Sequence, residues 1–536
     1  MVLTFLLLLL MSVGLTVRPD SSILYSRTGL VIMFYSIIFA MTSLHVTYLQ
    51  KGIGLYAGLF NITCVSHSFQ IFIFLTCGII LTLTGFFPRK YTKINMSGFI
   101  KQLKEKESIK IVNKMSEQFT IIEYSSIMMF VVTGSTLLLC ANDLVSLYLC
   151  IELQSFSLYI ICAIHRNSES STGSALTYFL LGGLSSCFIL LGIALIYANT
   201  GLTNLDAIHT LISYNGHYNY LYYSSPYTNN YIFYSFLLIS VGFLFKIAAA
   251  PFHWWSPDVY DGVPTLVTTF ISVFGKISVL ILLMELVHNT TEIFHTTTQT
   301  YSWLTGLSLS CFFSLVVGTV LGLTQTRIKR LLAYSTISHM GFILLAIIVH
   351  CIESYQAFLF YILQYILTNL SAFIIVLTIG FNLYLYFMDL YETNNLPEKN
   401  NSPLQLISQI KGYFVLNPFL AFCLSITMFS FIGLPPLSGF FAKQMVLTAA
   451  LDNHMIILVI TALLTSVISA VYYLTIIKTL YFDKLDYKKS YIYRKISLSN
   501  HLSITISTLT VSNLLFISIA QEPINLCTLL ALIYST

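Results

Sequence analysis

The chain has 536 residues, 56% of them hydrophobic and only 9% charged, with a formal net charge of +5 and a mean hydropathy of +0.81. So little polar surface excludes a soluble globular body, and no nucleic-acid partner is expected. The apolar runs are long enough for helices through a hydrocarbon core of about 30 Å and too uniformly apolar for barrel strands. The expected fold class is all-α, a polytopic transmembrane helix bundle.

The N-terminal stretch "MVLTFLLLLLMSVGLTV" has no basic region ahead of its apolar run and no small-residue cleavage site, so it reads as a retained first span. Further apolar segments follow near 28–48, 69–87, 120–141, 144–164, 173–198, 231–255, 263–288, 301–324, 329–350, 354–387, 414–450, 455–477 and 499–533. With 1–16 they make about fourteen spans. The basic residues test this parity, because one side's loops should hold them. The loops after segments 1, 3, 5, 9, 11 and 13 carry 22 of the 26 lysines and arginines, including "KQLKEKESIKIVNK" and "TQTRIKR", and the opposite loops carry only Lys51. The other three, Lys246, Lys276 and Lys443, lie inside apolar segments.

A charge at the bilayer centre costs about 2.5–3.5 kcal/mol on insertion scales, so buried lysines point to function. Lys246 and Lys276 lie about ten residues or more from their segment ends, too far to snorkel. Glu152, in "LVSLYLCIELQSFSLYIICA", is the carboxylate read as most deeply embedded. Segment 7 carries Pro251 and segment 12 carries Pro435 and Pro436 in "FIGLPPLSGFFAKQ". Each is the fourth helix of a five-helix block, and an odd count inverts the second block relative to the first. A lone proline kink in a membrane helix is commonly structural. Two in register, each close to a lysine, are the pattern of broken helices lining a transport path, with the lysine in or beside a hydrated gap. The expected organisation is a three-helix segment with a basic loop (1–119), a first repeat (120–288), a second, inverted repeat (301–480) and a C-terminal helix region (481–536).

Desolvation disfavours a charged amine and a nearby carboxylate favours it, so drawing Glu152 and Lys246 together or apart would switch the lysine between holding and releasing a proton. Moving a charge against the membrane potential takes about 2.3 kcal/mol per 100 mV, and a two-unit swing in proton affinity supplies about 2.7 kcal/mol. His339, in "YSTISHMGFILLA", is a candidate relay or a satisfied core histidine. Glu123, Glu285, His165 and His288 read as interfacial, and Asp258 and Asp261 as caps at the start of segment 8. The ten cysteines are scattered singly, without spacing for a zinc, iron–sulfur or haem site, so no cofactor is expected in this chain.

"ANDLVSLYLCIELQSFSLYIICA", "GFLFKIAAAPFHWWSPDVYDGVPTLVTTFISVFGKISVL", "QTRIKRLLAYSTISHMGFILLA" and "FIGLPPLSGFFAKQMVL" together resemble the antiporter-like membrane subunits of respiratory complex I. The resemblance tiles most of residues 120–450. It implies that Glu152 and Lys246 match the family's coupled helix-5 and helix-7 pair, Lys276 its helix-8 connecting lysine, and Lys443 its helix-12 exit residue, where the fourth-subunit paralogue usually has glutamate. It also implies a proton-pumping subunit of NADH:ubiquinone reductase, with NADH, FMN, iron–sulfur clusters and ubiquinone handled by other subunits. The implied partners are the fourth-subunit paralogue, small membrane subunits and lipids. The implied location is the mitochondrial inner membrane, basic loops in the matrix and both termini toward the intermembrane space. Two readings compete: a subunit of a multi-subunit cation/proton antiporter, and a structural member that has lost pumping. Retention of all four charged positions disfavours the latter.

Overall fold

Hydrocarbon offers the backbone no water, so an apolar chain of this kind must pair its amides within helices. The computed structural model describes residues 22–46, 49, 52–85, 90–91, 123–166, 168–218, 227–294, 303–387, 402, 404–484, 496–497 and 500–535. The first apolar segment, most of the 88–119 loop and part of the 199–230 stretch lie outside the described residues.

The helices are α1 (Ser22–Ser43), α2 (Cys64–Gly85), α3 (Glu123–Leu138), α4 (Leu144–Ala163), α5 (Glu169–Thr200), α6 (Leu205–Tyr218), α7 (Tyr227–Ile247), α8 (Trp255–Gly262) and α9 (Thr265–Phe294). They continue with α10 (Trp303–Leu323), α11 (Ile328–Val349), α12 (Ile352–Phe387), α13 (Pro418–Ile432), α14 (Ser438–Asp452), α15 (Ile456–Tyr481), α16 (Asn500–Leu514), α17 (Phe516–Ile519) and α18 (Gln521–Ser535). Among the described residues, nine of these are long and apolar enough to cross a membrane. Two short antiparallel ribbons complete the described structure: β1 (Ile53–Leu55) with β2 (Phe60–Ile62), Ile53 opposite Ile62, and β3 (Lys90–Tyr91) with β4 (Ile496–Ser497).

Helices α9, α11 and α12 are almost wholly enclosed, whereas α5 and α15 leave most of their apolar surface open. The enclosed three form the centre of the bundle. Most of their serine and threonine hydroxyls turn back onto their own helix, as Thr368 does to the carbonyl of Gln364 at 3.0 Å, while Ser278 donates across to Gln154 Oε1 of α4 at 3.0 Å.

The expected prolines do break helices, but earlier than the hydropathy suggests. α7 stops at Ile247, residues 248–254 form the break, and the chain resumes as α8; α13 stops at Ile432 and α14 starts at Ser438. In both, the residue after the helix end is left-handed: Ala248 at φ +63° and Gly433 at φ +88°. Glycine takes that conformation freely, whereas alanine pays about 1–2 kcal/mol. Segment 14 is likewise not one helix but three, α16, α17 and α18. The 199–230 stretch, which carries no motif, contains the amphipathic helix α6, with Leu205 and Ile208 buried.

Corresponding features recur in the two halves. Leu144 donates to the Thr203 carbonyl and Leu205 to that of Asn142; Ile328 donates to Gln405 and Ile407 to Thr326. Each set forms one isolated antiparallel bridge just before a long helix, Asp143 with Asn204 and Arg327 with Leu406. The helix pairs that follow share a close approach. A Cβ on Gly134 of α3 would stand 2.8 Å from the Gln154 amide nitrogen of α4, and one on Gly318 of α10 would stand 2.6 Å from that of Ser338 of α11. Small residues let membrane helices approach backbone to backbone in this way.

Gly318→Ala is therefore expected to cost about 1–3 kcal/mol through forced separation of α10 and α11. The thermal midpoint of the solubilised protein should fall, while Gly183→Ala, where a Cβ meets nothing within 4 Å, leaves it unchanged.

Candidate functional site

Two of the enclosed charges, Lys246 and Lys443, meet the ends of helices. Lys246 occupies the last turn of α7, not mid-helix as its distance from the segment end predicts, so its ammonium stands at the negative end of a helix dipole. Its Nζ lies 3.8 Å from Glu152 Oε1, with side-chain exposures of 8% and 15%. Lys246 donates its hydrogen bond to the Tyr159 hydroxyl at 3.2 Å. Glu152 is not the most enclosed carboxylate: Asp143 and Asp261 are deeper in protein. Both of those, however, lie at helix ends.

Lys443, on α14, uses the second break differently. Its Nζ donates to the carbonyls of Phe431 and Ile432, each at 2.8 Å, which α13 leaves open as it ends. At the first break the Trp255 indole N–H takes the corresponding role on the carbonyl of Phe245 at 2.8 Å. A cavity of about 260 Å³ flanks this break, lined by Leu181, Phe245, Pro251, Phe252, Trp254 and Trp255, and such a lining gives water too few partners.

Two further groups join these ends across the centre. Lys276 of α9 is buried and donates to Thr336 Oγ1 of α11 at 3.0 Å, with the Tyr260 ring 5.9 Å below its ammonium. One turn along α11, His339 Nδ1 meets the Tyr361 hydroxyl at 2.8 Å, and its Nε2 is 3.5 Å from the Tyr473 hydroxyl, the outer limit of a hydrogen bond. Phe342, one more turn along, presents its ring 5.4 Å from Lys443 Nζ. Lys276, His339 and Lys443 thus form one buried row. The Glu152–Lys246 pair is flanked by Tyr159, which packs edge-to-face on Tyr178 at 4.8 Å, while Tyr260 lies under Lys276.

The remaining predicted residues fall elsewhere. Glu123 is exposed in the first turn of α3, while Glu285 and His165 are half-buried. His288 is half-buried and hydrogen-bonds the Tyr355 hydroxyl at 3.2 Å. At the end of α4, burial lowers the proton affinity of His165. Asp258 and Asp261 do not cap α9, because α8 extends through them; they bind the second half instead. Asp261 pairs with Arg327 and, at 3.3 Å, with Arg330, which also reaches Asp258 at 2.7 Å.

Sequence reasoning missed Lys329. Counted among the basic loop residues of "TQTRIKR", it is instead 1% exposed, and its Nζ donates to the Val263 carbonyl at 2.6 Å and to Ser402 Oγ at 2.9 Å. Hydropathy cannot separate it from Arg327 and Arg330, since only the fold decides which side chain turns inward. Among the described residues, no three His, Cys, Asp or Glu side chains gather as a metal site.

Residues 141–469 match the family model described as NADH:quinone oxidoreductase/Mrp antiporter, transmembrane. The chain is 41% identical over 483 residues to NADH-ubiquinone oxidoreductase chain 2 of Rhizopus oryzae, covering 90% of this chain and 86% of that protein. It is 36% identical over 361 residues to NADH-quinone oxidoreductase subunit N of Nitrosomonas europaea, covering 67% and 68%. Among solved structures it is similar to a chain of Thermus thermophilus respiratory complex I with bound aureothin, with TM-score 0.67 and 23% identity over 96% of this chain and 97% of that one. It is also similar to a chain of the Mrp complex of Dietzia sp., with TM-score 0.71 and 17% identity over 99% and 96%. Likeness at these identities shows the fold alone.

Asp261 has a side-chain exposure of 7% and Asp258 one of 66%, which separates their expected effects. Asp261→Ala should destabilise the solubilised protein by about 1–3 kcal/mol, because it takes the carboxylate from Arg327 and leaves Arg330 with Asp258 alone. Asp258→Ala should cost about 0–1 kcal/mol. Thermal midpoints of the two variants check the order.

Proposed function

The chain belongs to the NADH:quinone oxidoreductase/Mrp antiporter family, and from that membership we propose that its buried lysines and Glu152 are the proton path of a complex I membrane subunit. The chain is a multi-pass membrane-arm subunit of NADH:ubiquinone oxidoreductase, within a multi-subunit assembly. The observation that carries the proton path is the single buried row of Lys276, His339 and Lys443 with the Glu152–Lys246 pair at its side.

The chemistry follows from the placement of these groups. Lys246 stands between two partners, a carboxylate and a neutral hydroxyl. Closing on Glu152 favours the ammonium, and moving away favours release of its proton to the next acceptor. Lys276 holds a hydroxyl of the neighbouring central helix, so a proton arriving there has Thr336 and then His339 within one turn. His339 has a hydroxyl against one ring nitrogen and a second at the margin of the other, the arrangement a relay uses. Lys443, held by two helix-terminal carbonyls, is the last cation of the row and the exit group in this reading.

Residues 120–288 and 301–480 act in this reading as the two inverted five-helix repeats, and the recurring bridges at Asp143 and Arg327 support that division. The partners are the fourth-subunit paralogue and small membrane subunits, in the mitochondrial inner membrane. Basic loops face the matrix and both termini face the intermembrane space, an orientation supported by the positive-inside distribution of lysine and arginine.

In the intact complex, Lys246→Met should assemble normally yet lower coupled NADH:ubiquinone turnover about tenfold or more. Normal proton yield per NADH in the assembled variant would remove Lys246 from the path. A native gel with in-gel NADH oxidation distinguishes the assemblies. Comigration of this chain with NADH activity supports the redox-driven reading, whereas migration with a few membrane partners and no such activity would assign the lysines to cation/proton exchange.

A further inference from the structure

We propose that Tyr159 is a positioning residue of the Glu152–Lys246 pair, its hydroxyl holding the lysine ammonium off the carboxylate. The inference rests on the reading of that pair as the switching site. A buried carboxylate and ammonium attract each other strongly at low dielectric, yet here they stand at 3.8 Å, beyond a hydrogen bond. Glu152 Oε1 is buried with no hydrogen-bond partner at all. The ammonium's bond goes to Tyr159 instead, at 3.2 Å.

The phenol is built to stay in place. Tyr159 lies two turns from Glu152 on α4, so both partners of the lysine project from one face of one helix. Its ring packs edge-to-face on Tyr178 at 4.8 Å and on Phe179 at 5.7 Å. Its hydroxyl end is seated against Gly182 of α5, where a Cβ would overlap the oxygen and stand 2.9 Å from the ring's Cε1. Tyr178 in turn stacks on Trp255 at 4.6 Å, the residue that begins α8 and donates a second hydrogen bond to the carbonyl of Phe245, which also accepts from the Ala248 amide. The hydroxyl is thereby referenced to α5 and, through Tyr178 and Trp255, to both sides of the helix break. Movement of α8 against α5 shifts the hydroxyl relative to Lys246 and decides which partner the ammonium keeps.

The titratable groups interacting with the pair and its phenol are Tyr148 and Cys162 on α4 and Tyr178 on α5. Glu152 is the one carboxyl among them, and Lys276 over Tyr260 is the next cation.

The test is Tyr159→Phe in the intact complex, measured as coupled turnover and proton yield across pH, beside Lys246→Met. Removing only the hydroxyl lets the ammonium close on Glu152, whose opposite charge favours the protonated amine. Proton release then needs a higher pH. The pH of half-maximal turnover should rise by about half a unit to one unit, with about a two- to fivefold loss at neutral pH and normal content of the complex. Gly182→Ala, which displaces the hydroxyl from the other side, should reproduce the alkaline shift and carries the test should Tyr159→Phe fail to assemble. An unshifted or acid-shifted profile overturns the inference. If Lys246→Met loses pumping while Tyr159→Phe behaves as wild type, only the role of Tyr159 falls; if Lys246→Met pumps normally, the pair falls and Tyr159 with it.

Discussion

A helix that stops inside hydrocarbon leaves its last carbonyls without partners, and each costs several kcal/mol unless the protein supplies a donor. Among the described residues, the helices ending at Ile247 and Ile432 stop that way; the Lys443 ammonium takes the carbonyls of Phe431 and Ile432, and the Trp255 indole adds a donor at Phe245, which also accepts from Ala248. The lysines are therefore not tolerated despite the breaks. A break gives a cation carbonyl oxygens and the negative end of a dipole, and the cation gives the broken helix its missing hydrogen bonds. Each expensive feature offsets part of the other's cost.

The two breaks are used asymmetrically. At the second, the lysine itself closes the helix, so its position is fixed by backbone. At the first, tryptophan closes the helix and leaves Lys246 free to choose between Glu152 and Tyr159. Mobility of charge is thus concentrated at the end of the row that carries the carboxylate, while the far end is held. A proton path needs at least one such group whose surroundings change during turnover.

The halves are tied by cations as well as by packing. Arg327, Lys329 and Arg330, all at the start of α11, hold Asp258, Asp261 and the Val263 carbonyl at the end of α8. The short helix beyond the first break is therefore anchored to the second half of the bundle. Any displacement of α8 is transmitted to α11, which carries Thr336 and His339.

Much was legible in the residues alone. Composition required a membrane bundle, and the prolines and inward lysines marked where helices break and cations are enclosed, because hydropathy and charge cost depend on residue type and not on partners. What the sequence left open are matters of direction and distance. Lys246 lies at a helix end and not in its middle because the backbone leaves the helix at Ala248, three residues before Pro251. Lys329 is buried while its neighbours Arg327 and Arg330, partly exposed, pair with the buried Asp261 and the exposed Asp258, where a cap was expected. Nor does any spacing reveal that Tyr159 stands between a carboxylate and a lysine far along the chain. Transfer cost is carried by each residue wherever it goes, but which atoms meet is decided only when helices from distant parts of the chain pack against one another.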